Sequence, residues 1–469
     1  MSDFTMTING AAAPATDTFG VINPATAEVF AQAPACDRPQ LEAAMAAARA
    51  AYRTWRTDDK GRRAVLREMA DALEAATDRL APALTAEQGK SLSDACLEIA
   101  HSVAWLRYYA DLEIPREVVR DDEHGFAEVV RRPLGVVAAV TPWNFPVVLA
   151  IWKIAPALRA GNTMVLKPSP FTPLTALLLG EIWRDVLPPG VFNVVSGPEP
   201  LGTWMTGHQS VRKVSFTGST AVGKLVAASA ADDLKRVTLE LGGNDPAIVL
   251  DDADPEQIAD SLFWGAFLNN GQLCFAAKRV YVHERRHAGL VAALAARAQA
   301  VRVGDGTEPG VQLGPINNKP QFDRVRELVG DALAHGAVAA AGGKPLDRPG
   351  YFFAPTILTG VTDGIRIVDE EQFGPALPVI SYRDLDDVID RANASEYGLT
   401  ASVWSPDLDR ASSVASQLDC GQVSVNVHGG AVRPDLPFGG HKWSGLGVEN
   451  GPWGLYGFTE LQVLARPAR

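Results

Sequence analysis

The sequence predicts an α/β protein: a parallel, doubly wound sheet followed by a second α/β unit. The first observation is an alternation that begins at residue 136. Short apolar runs, VVAAV (136–140), TMVLK (163–167), VFNVV (191–195), KVSF (213–216) and RVTLEL (236–241), are separated by helix-period segments such as PLTALLLGEIWRDV and TAVGKLVAASAADDL. Strands covered on both faces read as unbroken apolar runs, and helical crossovers join them in parallel. The second is a similar series from about residue 244 to 440, with the helices PEQIADSLFWGAF and RRHAGLVAALAARAQAV and the strands RVYVHE, LPVISY, ASVWS and QVSVN. The third is length: 469 residues exceed what one core organises.

Taken in chain order, the N-terminal part reads as helical. Asp37 is placed to cap a helix through QLEAAMAAARAAYRTW, and helical period continues in RRAVLREMADALEAATDRLAPAL and DACLEIAHSVAWLRYYADLE. In 113–135 two β-prone runs flank Asp-Glu-His-Gly, which predicts a hairpin that must pack on something, such as another subunit. The stretch LGVVAAVTPWNFPVVLAIW (134–152) carries no charge and is long enough to span a membrane. Pro142, Asn144 and Pro146 in its middle instead divide it into a strand, a loop and a helix start. The C-terminal LQVLARPAR predicts a last strand.

Composition narrows the function. Hydrophobic content of 47% and charged content of 21% describe an ordinary globular chain. A net charge of −12 disfavours binding to nucleic acid or anionic membrane. The four cysteines, Cys36, Cys96, Cys274 and Cys420, are far apart, without a CxxC pair or a His-rich neighbour. That argues against a disulfide framework or a metal site and for a reducing compartment. MSDFTMTINGAAAP has no targeting pattern, so the expected location is the cytoplasm.

Several short segments carry chemistry only in combination. In FTGSTAVG (216–223) a strand runs through Gly218 and Ser219 into a helix, whose free N–H groups suit a pyrophosphate, although an ordinary capped helix reads the same way. In KPSPFTP (167–173), Lys167 leaves a strand's carboxyl edge and can reach ribose hydroxyls or phosphate; a surface lysine is the plain alternative. Asn144 in TPWNFP can donate to an oxyanion or stabilise its own turn. Glu240 in LELGGND can serve as a general base or be a solvated carboxylate. Glu371 and Phe373 in EEQFGP can hold a ribose and pack on a flat heterocycle. Cys274, in NNGQLCFAAKR, is a nucleophile or small core filler. His283, His287, His428 and His441 read as surface or loop residues, with a spatial Cys–His pair left as an alternative.

In the order TPWNFP, KPSPFTP, FTGST, LELGG, GQLC, EEQFGP and PFGGHKWSGLG, these segments resemble the aldehyde dehydrogenase superfamily over essentially the whole chain. The 34 residues from Glu240 to Cys274 and the 97 from there to Glu371 suit that pattern. The resemblance implies a Rossmann-type cofactor domain (1–112 and 134–243), an α/β catalytic domain (244–442) and a small β oligomerisation element (113–133 and 443–469) in a homodimer or homotetramer. It implies Cys274 as nucleophile, Asn144 as oxyanion donor, Glu240 as the base that activates water, and Lys153 as electrostatic support. Trp143, Lys167, Ser169, Gly218, Ser219, Glu371 and Phe373 would contact NAD or NADP. NAD-preferring relatives often carry a glutamate where Pro170 stands, so NADP stays open beside a slightly favoured NAD. Phe145, Leu149, Trp152, Leu273, Phe275, Val432 and Phe438 would line an apolar pocket for an aliphatic or aromatic aldehyde, and Arg433 in the same loop could pair with a substrate carboxylate. Gly447-Val448-Glu449 replaces the usual Gly-Arg-Glu, a departure expected to matter little. The alternatives are a coenzyme-A-acylating relative, which generally lacks the glutamate matching Glu240, a non-catalytic structural relative, and a Cys–His hydrolase.

Overall fold

The computed structural model describes residues 4–468. Residues 1–3 and 469, assigned above to the first and last segments, lie outside the described residues.

The predicted parallel strands form the centre of an eight-stranded sheet, in the order Ala11–Ala13, Met6–Ile8, Phe192–Val194, Thr163–Lys167, Val136–Val140, Val211–Thr217, Arg236–Glu240, Gly445–Leu446. The five central strands are parallel, with Val140 opposite Lys167 and Thr217 opposite Glu240. Their carboxyl ends therefore share one edge, the edge where ligands bind in such sheets. The short strand Gly445–Leu446 closes the side next to Glu240 in antiparallel register.

The second sheet has seven strands, in the order Val338–Ala341, Thr356–Thr359, Ala376–Tyr382, Ala277–His283, Asp245–Val249, Thr400–Trp404, Gln422–Val425. Alternate residues of its strands feed two separate cores, Ile248, Tyr281 and Val403 on one side and Val249, Val282 and Trp404 on the other. This is the period-two burial that a sheet covered on both faces requires.

The N-terminus corrects the sequence reading. The residues before Asp37 are strands, not helix: Met6–Ile8 pairs with Ala11–Ala13, and Asp17–Asn23 with Glu28–Ala35. Asn9 and Gly10 both have positive φ (55° and 74°), and Asn-Gly is the strongest short hairpin signal. Asp37 does cap the helix Arg38–Trp55, in a reciprocal capping box with Gln40. The helices Asp59–Ala75, Thr77–Gln88 and Leu92–Asp111 follow. The expected hairpin is Glu117–Asp122 with Gly125–Pro133, and Thr459–Arg466 adds a third, antiparallel strand.

The uncharged stretch 134–152 divides as its prolines dictate, into the strand Val136–Val140 and the helix Val148–Ala160. Among the described residues no helix is long and apolar enough to cross a membrane. The helix Val148–Ala160 is buried along its whole length and has no side-chain cap of its own at its N-terminus. Glu98, from the helix Leu92–Asp111, supplies one: its Oε1 accepts the N–H groups of Val147 and Val148 at 2.8 and 3.1 Å.

Candidate active site

Two cavities meet at Cys274. One is a cleft of about 940 Å³ along the carboxyl edge of the first sheet. Trp143, Gly218, Ser219, Cys274, Glu371 and Phe373 all line it, from four loops scattered over the sequence. The other, about 280 Å³, is walled by Phe145, Leu149, Trp152, Leu273, Phe275 and Val432. Cys274 and Asn144 line both.

The cleft has the shape and donors for a dinucleotide. Ser219 caps the helix Thr220–Ala231 and leaves that helix's N-terminal end facing the cleft. Gly242 gives the Glu371 carboxylate its room, since a Cβ there would stand 2.5 Å from Glu371 Oε2 and push that side chain aside. Glu371 in turn accepts the Gly243 N–H at 2.9 Å. Burial raises its carboxyl to about 7, against the opposing pull of that hydrogen bond and of Lys278. Phe373 packs edge-on against Trp143, ring centroids 5.3 Å apart.

Lys167 and Ser169 are buried outside the lining of this cleft. Burial lowers the Lys167 ammonium, opposed by the charge of Glu199. Pro170 leaves no carboxylate beside it in sequence.

The cysteine loop is bent by three consecutive left-handed residues, Asn269, Asn270 and Gly271 (φ 51°, 58° and 71°). Such a run is held only if its surroundings over-determine it. Asn269 Nδ2 donates to the Asn144 carbonyl at 3.0 Å, and Gln272 Nε2 to the Asn269 carbonyl at 2.9 Å. Lys278 Nζ donates to the Gly271 carbonyl at 2.7 Å and the Gly374 carbonyl at 2.8 Å, tying the cysteine loop to the Glu371–Phe373 loop. Asn144 Nδ2 donates to the Gln272 carbonyl at 3.0 Å, which uses one of its two N–H groups and leaves the other for a ligand.

Enclosure pushes the Cys274 thiol well above its ordinary value, and the nearby carboxyls Asp245, Glu240 and Glu371 push it further. Glu240 is buried, and neither carboxylate oxygen has a hydrogen-bond partner. Burial and then the Glu449 charge raise it well above the carboxylate range, with Lys153 opposing. Lys153 and Glu240 line neither cavity. Lys153 Nζ is wholly buried, 2.6 Å from Glu449 Oε1 and 2.6 Å from Thr217 Oγ1. Glu449 is thus the counter-charge of Lys153 and a like charge near Glu240.

Of the apolar residues expected in the pocket, Phe438 stands behind the wall, its ring packed on Trp152 (5.2 Å) and Phe275 (5.9 Å). Arg433 is exposed, bonds Asp435 at 3.0 Å and lines neither cavity. At the far side of the small cavity Lys90 and Glu98 form a wholly buried ion pair, and the Lys90 ammonium lies 3.7 Å from the centre of the Phe145 ring. His428 lies, as expected, in a loop, the one that follows the strand Gln422–Val425. It is not at the surface: its side chain is buried, with Nδ1 2.8 Å from Ser402 Oγ and Nε2 facing Asp245. Only Nδ1 is hydrogen-bonded, Nε2 having no partner, and His428 lines the small cavity together with Cys274. Asp245, Lys278, Glu449 and His428 carried no local signal, because their partners lie tens to hundreds of residues away.

Residues 12–464 match the Aldehyde dehydrogenase family. The chain is 41% identical over 457 residues to aldehyde dehydrogenase 1A1 of Homo sapiens, covering 95% of this chain and 91% of that one. It is 40% identical over 466 residues to phenylacetaldehyde dehydrogenase of Pseudomonas fluorescens, covering 95% and 92%. Among solved structures it is similar to the NAD+ complex of aldehyde dehydrogenase from Bacillus cereus, with a TM-score of 0.97, 36% identity and coverage of 99% and 97%. It is also similar to betaine aldehyde dehydrogenase from Staphylococcus aureus in complex with NAD+, with a TM-score of 0.95, 33% identity and coverage of 99% and 94%.

Proposed function

The chain belongs to the aldehyde dehydrogenase family, and from that premise we propose that it oxidises an uncharged apolar aldehyde through a covalent bond to Cys274. The reaction class, aldehyde to carboxylic acid, follows from the family and its relatives. The single observation that carries the site assignment is that Cys274 and Asn144 stand where the apolar cavity opens into the cleft.

The Cys274 thiolate attacks the aldehyde carbon, forming a C–S bond and moving charge onto the carbonyl oxygen. The free N–H of the Asn144 amide and the Cys274 backbone N–H receive that oxygen. Trp143, Gly218, Ser219, Glu371 and Phe373, which line the cleft, would hold NAD(P)+, and that group when bound would supply the acceptor for the hydride lost from that carbon; Lys167 and Ser169, buried outside that lining, are proposed as cofactor contacts on the family resemblance alone. Glu240 then takes a proton from water, the hydroxide adds to the thioester, and the C–S bond breaks to release the acid. The raised Glu240 carboxyl makes its ionised form a stronger proton acceptor than an ordinary carboxylate. Lys153, paired with Glu449, holds positive charge beside it.

Apolar walls and the pairing of Lys90 with Glu98 support an aliphatic or aromatic aldehyde over a carboxylated one. Two relatives point the same way, since they are named for retinaldehyde and phenylacetaldehyde. NAD is the slightly favoured cofactor, as the neighbours in complex with NAD+ support, and Pro170 leaves NADP usable. The same reading keeps the three-part division of the chain given above, except that Gly445–Leu446, assigned there to the oligomerisation element, joins the first sheet. It places a homodimer or homotetramer contact on the three-stranded sheet, where Val118, Val119, Leu461 and Val463 are exposed.

The test is absorbance of the reduced nicotinamide, with aliphatic, aromatic and carboxylated aldehydes, each run with NAD and with NADP. Wild type should turn over the apolar aldehydes and Cys274→Ala none of them. Turnover by Cys274→Ala would overturn the assignment.

A further inference from the structure

We propose that Asp245 is a positioning residue for the nucleophile: its carboxyl group, sealed behind the Cys274 loop, bonded to Thr400 and facing His428, sets how readily the Cys274 thiol gives up its proton. This rests on Cys274 being the nucleophile.

Asp245 opens the strand Asp245–Val249, with Ala277 opposite it in register. It is 1% exposed. A Cβ built on Gly243 would stand 2.5 Å from the Cys274 carbonyl oxygen and 2.8 Å from Asp245 Oδ1. The nucleophile's backbone and this carboxyl therefore crowd the same small volume, which stays open because residue 243 has no side chain.

The other oxygen, Oδ2, accepts the Thr400 hydroxyl at 2.6 Å. His428 Nε2 lies 3.9 Å from it, beyond hydrogen-bond reach, and has no partner of its own. His428 Nδ1 meets Ser402 Oγ, which already accepts the Trp404 indole N–H at 2.9 Å. The Ser402 proton is then free to go to Nδ1, which leaves the ring proton on Nε2, the nitrogen that faces Asp245.

The cations packed nearby are committed elsewhere. Lys278, on the strand Ala277–His283, is bonded to the Gly271 and Gly374 carbonyls. Arg279, on the same strand, is bonded to the carbonyls of Asn244 and Ala392. The remaining groups whose charge reaches this site are Glu371, across the cleft, and the Cys420 thiol, beside the strand Gln422–Val425. Among the described residues no lysine or arginine stands within ion-pair distance of the Asp245 carboxyl.

Burial pushes Asp245 up to about 8, with the Thr400 bonds and the Arg279 charge opposing. It is a neutral acid at pH 7 and ionises just above. The Cys274 thiol, raised by the same enclosure and by Asp245 itself, must then ionise beside a negative charge. Two acids in one small space cannot both be charged cheaply, and the coupling is reciprocal. His428, held near 4 mainly by burial, stays neutral throughout and offers dipole rather than charge.

The test reads Cys274 without aldehyde or cofactor: its alkylation rate by iodoacetamide against pH in the full-length protein. Mass spectrometry of the Cys274 peptide separates it from Cys96, which is exposed. Asp245→Asn keeps the shape and an acceptor for Thr400. Its alkylation midpoint should fall by about one pH unit, so that Cys274 reacts about tenfold faster below the midpoint. Thr400→Val removes a donor that favours the ionised carboxyl, keeps Asp245 protonated to higher pH, and should lower the midpoint in the same direction by less. If Asp245→Asn does not fold, Thr400→Val decides. An unchanged or raised midpoint overturns the proposal. Turnover by Cys274→Ala would instead overturn the nucleophile assignment, so the two failures are distinguishable.

Discussion

Cys274, Asn144 and Glu240 stand in contrasting states. The cysteine is enclosed and pushed up, the amide is half committed, and the glutamate is sealed with both oxygens unpartnered. An unpaired buried carboxyl is costly and survives where function needs it. Glu240→Gln should let the first hydride transfer proceed and block water activation. The expected result is a burst of NAD(P)H followed by little turnover, and normal turnover would remove Glu240 from the role. Because the Glu240 carboxyl is raised, its basic form is lost as pH falls through that raised value. Steady-state turnover in wild type should therefore climb with pH across the same range. These three residues were legible because each sits in a short motif at a strand end. Lys278, Asp245 and His428 were not, because an ammonium that ties Gly271 to Gly374 looks in sequence like half of an ordinary basic pair with Arg279.

At the scale of elements, the site depends on two loops held in one frame. Lys278 is the strap between them. Replacing it with Met leaves the Gly271 and Gly374 carbonyls buried without donors, at about 1–3 kcal/mol each. Lys278→Met should lower the Tm and raise the KM for the cofactor more than that for the aldehyde, since the Glu371–Phe373 loop lines only the larger cleft. Thermal melts and a two-substrate kinetic matrix check both effects. The parallel strands and the helix after Asp37 could be read from apolar runs and a capping box. The strands before Asp37 could not be read from apolar period, because Met6–Ile8 and Ala11–Ala13 are three residues each and gain their order from Phe192–Val194, far along the chain. The Asn9–Gly10 turn was the signal available there.

The molecule is stitched by returns of the chain. After the second sheet, Gly445–Leu446 goes back to edge the first sheet beside Glu240, and Thr459–Arg466 then completes the three-stranded sheet on Gly125–Pro133. Deleting residues 459–469 strips that sheet of its longest partner and uncovers a strand edge. If the proposed subunit contact lies on this sheet, the truncated protein should lose that contact, read as a change of mass in light scattering, and aggregate on standing. A truncated protein with the wild-type mass distribution would move the subunit contact elsewhere. The hairpin and the last strand were each visible in sequence, but their pairing was not, because no local pattern records which distant edge a strand will join.

A reaction centre with separate mouths has rules of traffic. Of the residues that line the two cavities, Cys274 and Asn144 alone belong to both. On the proposed reading an aldehyde would arrive, and its acid would depart, through the apolar mouth without disturbing whatever fills the other. The two reactants would then not queue for one doorway, and the hydride they exchange would cross at the wall between their rooms.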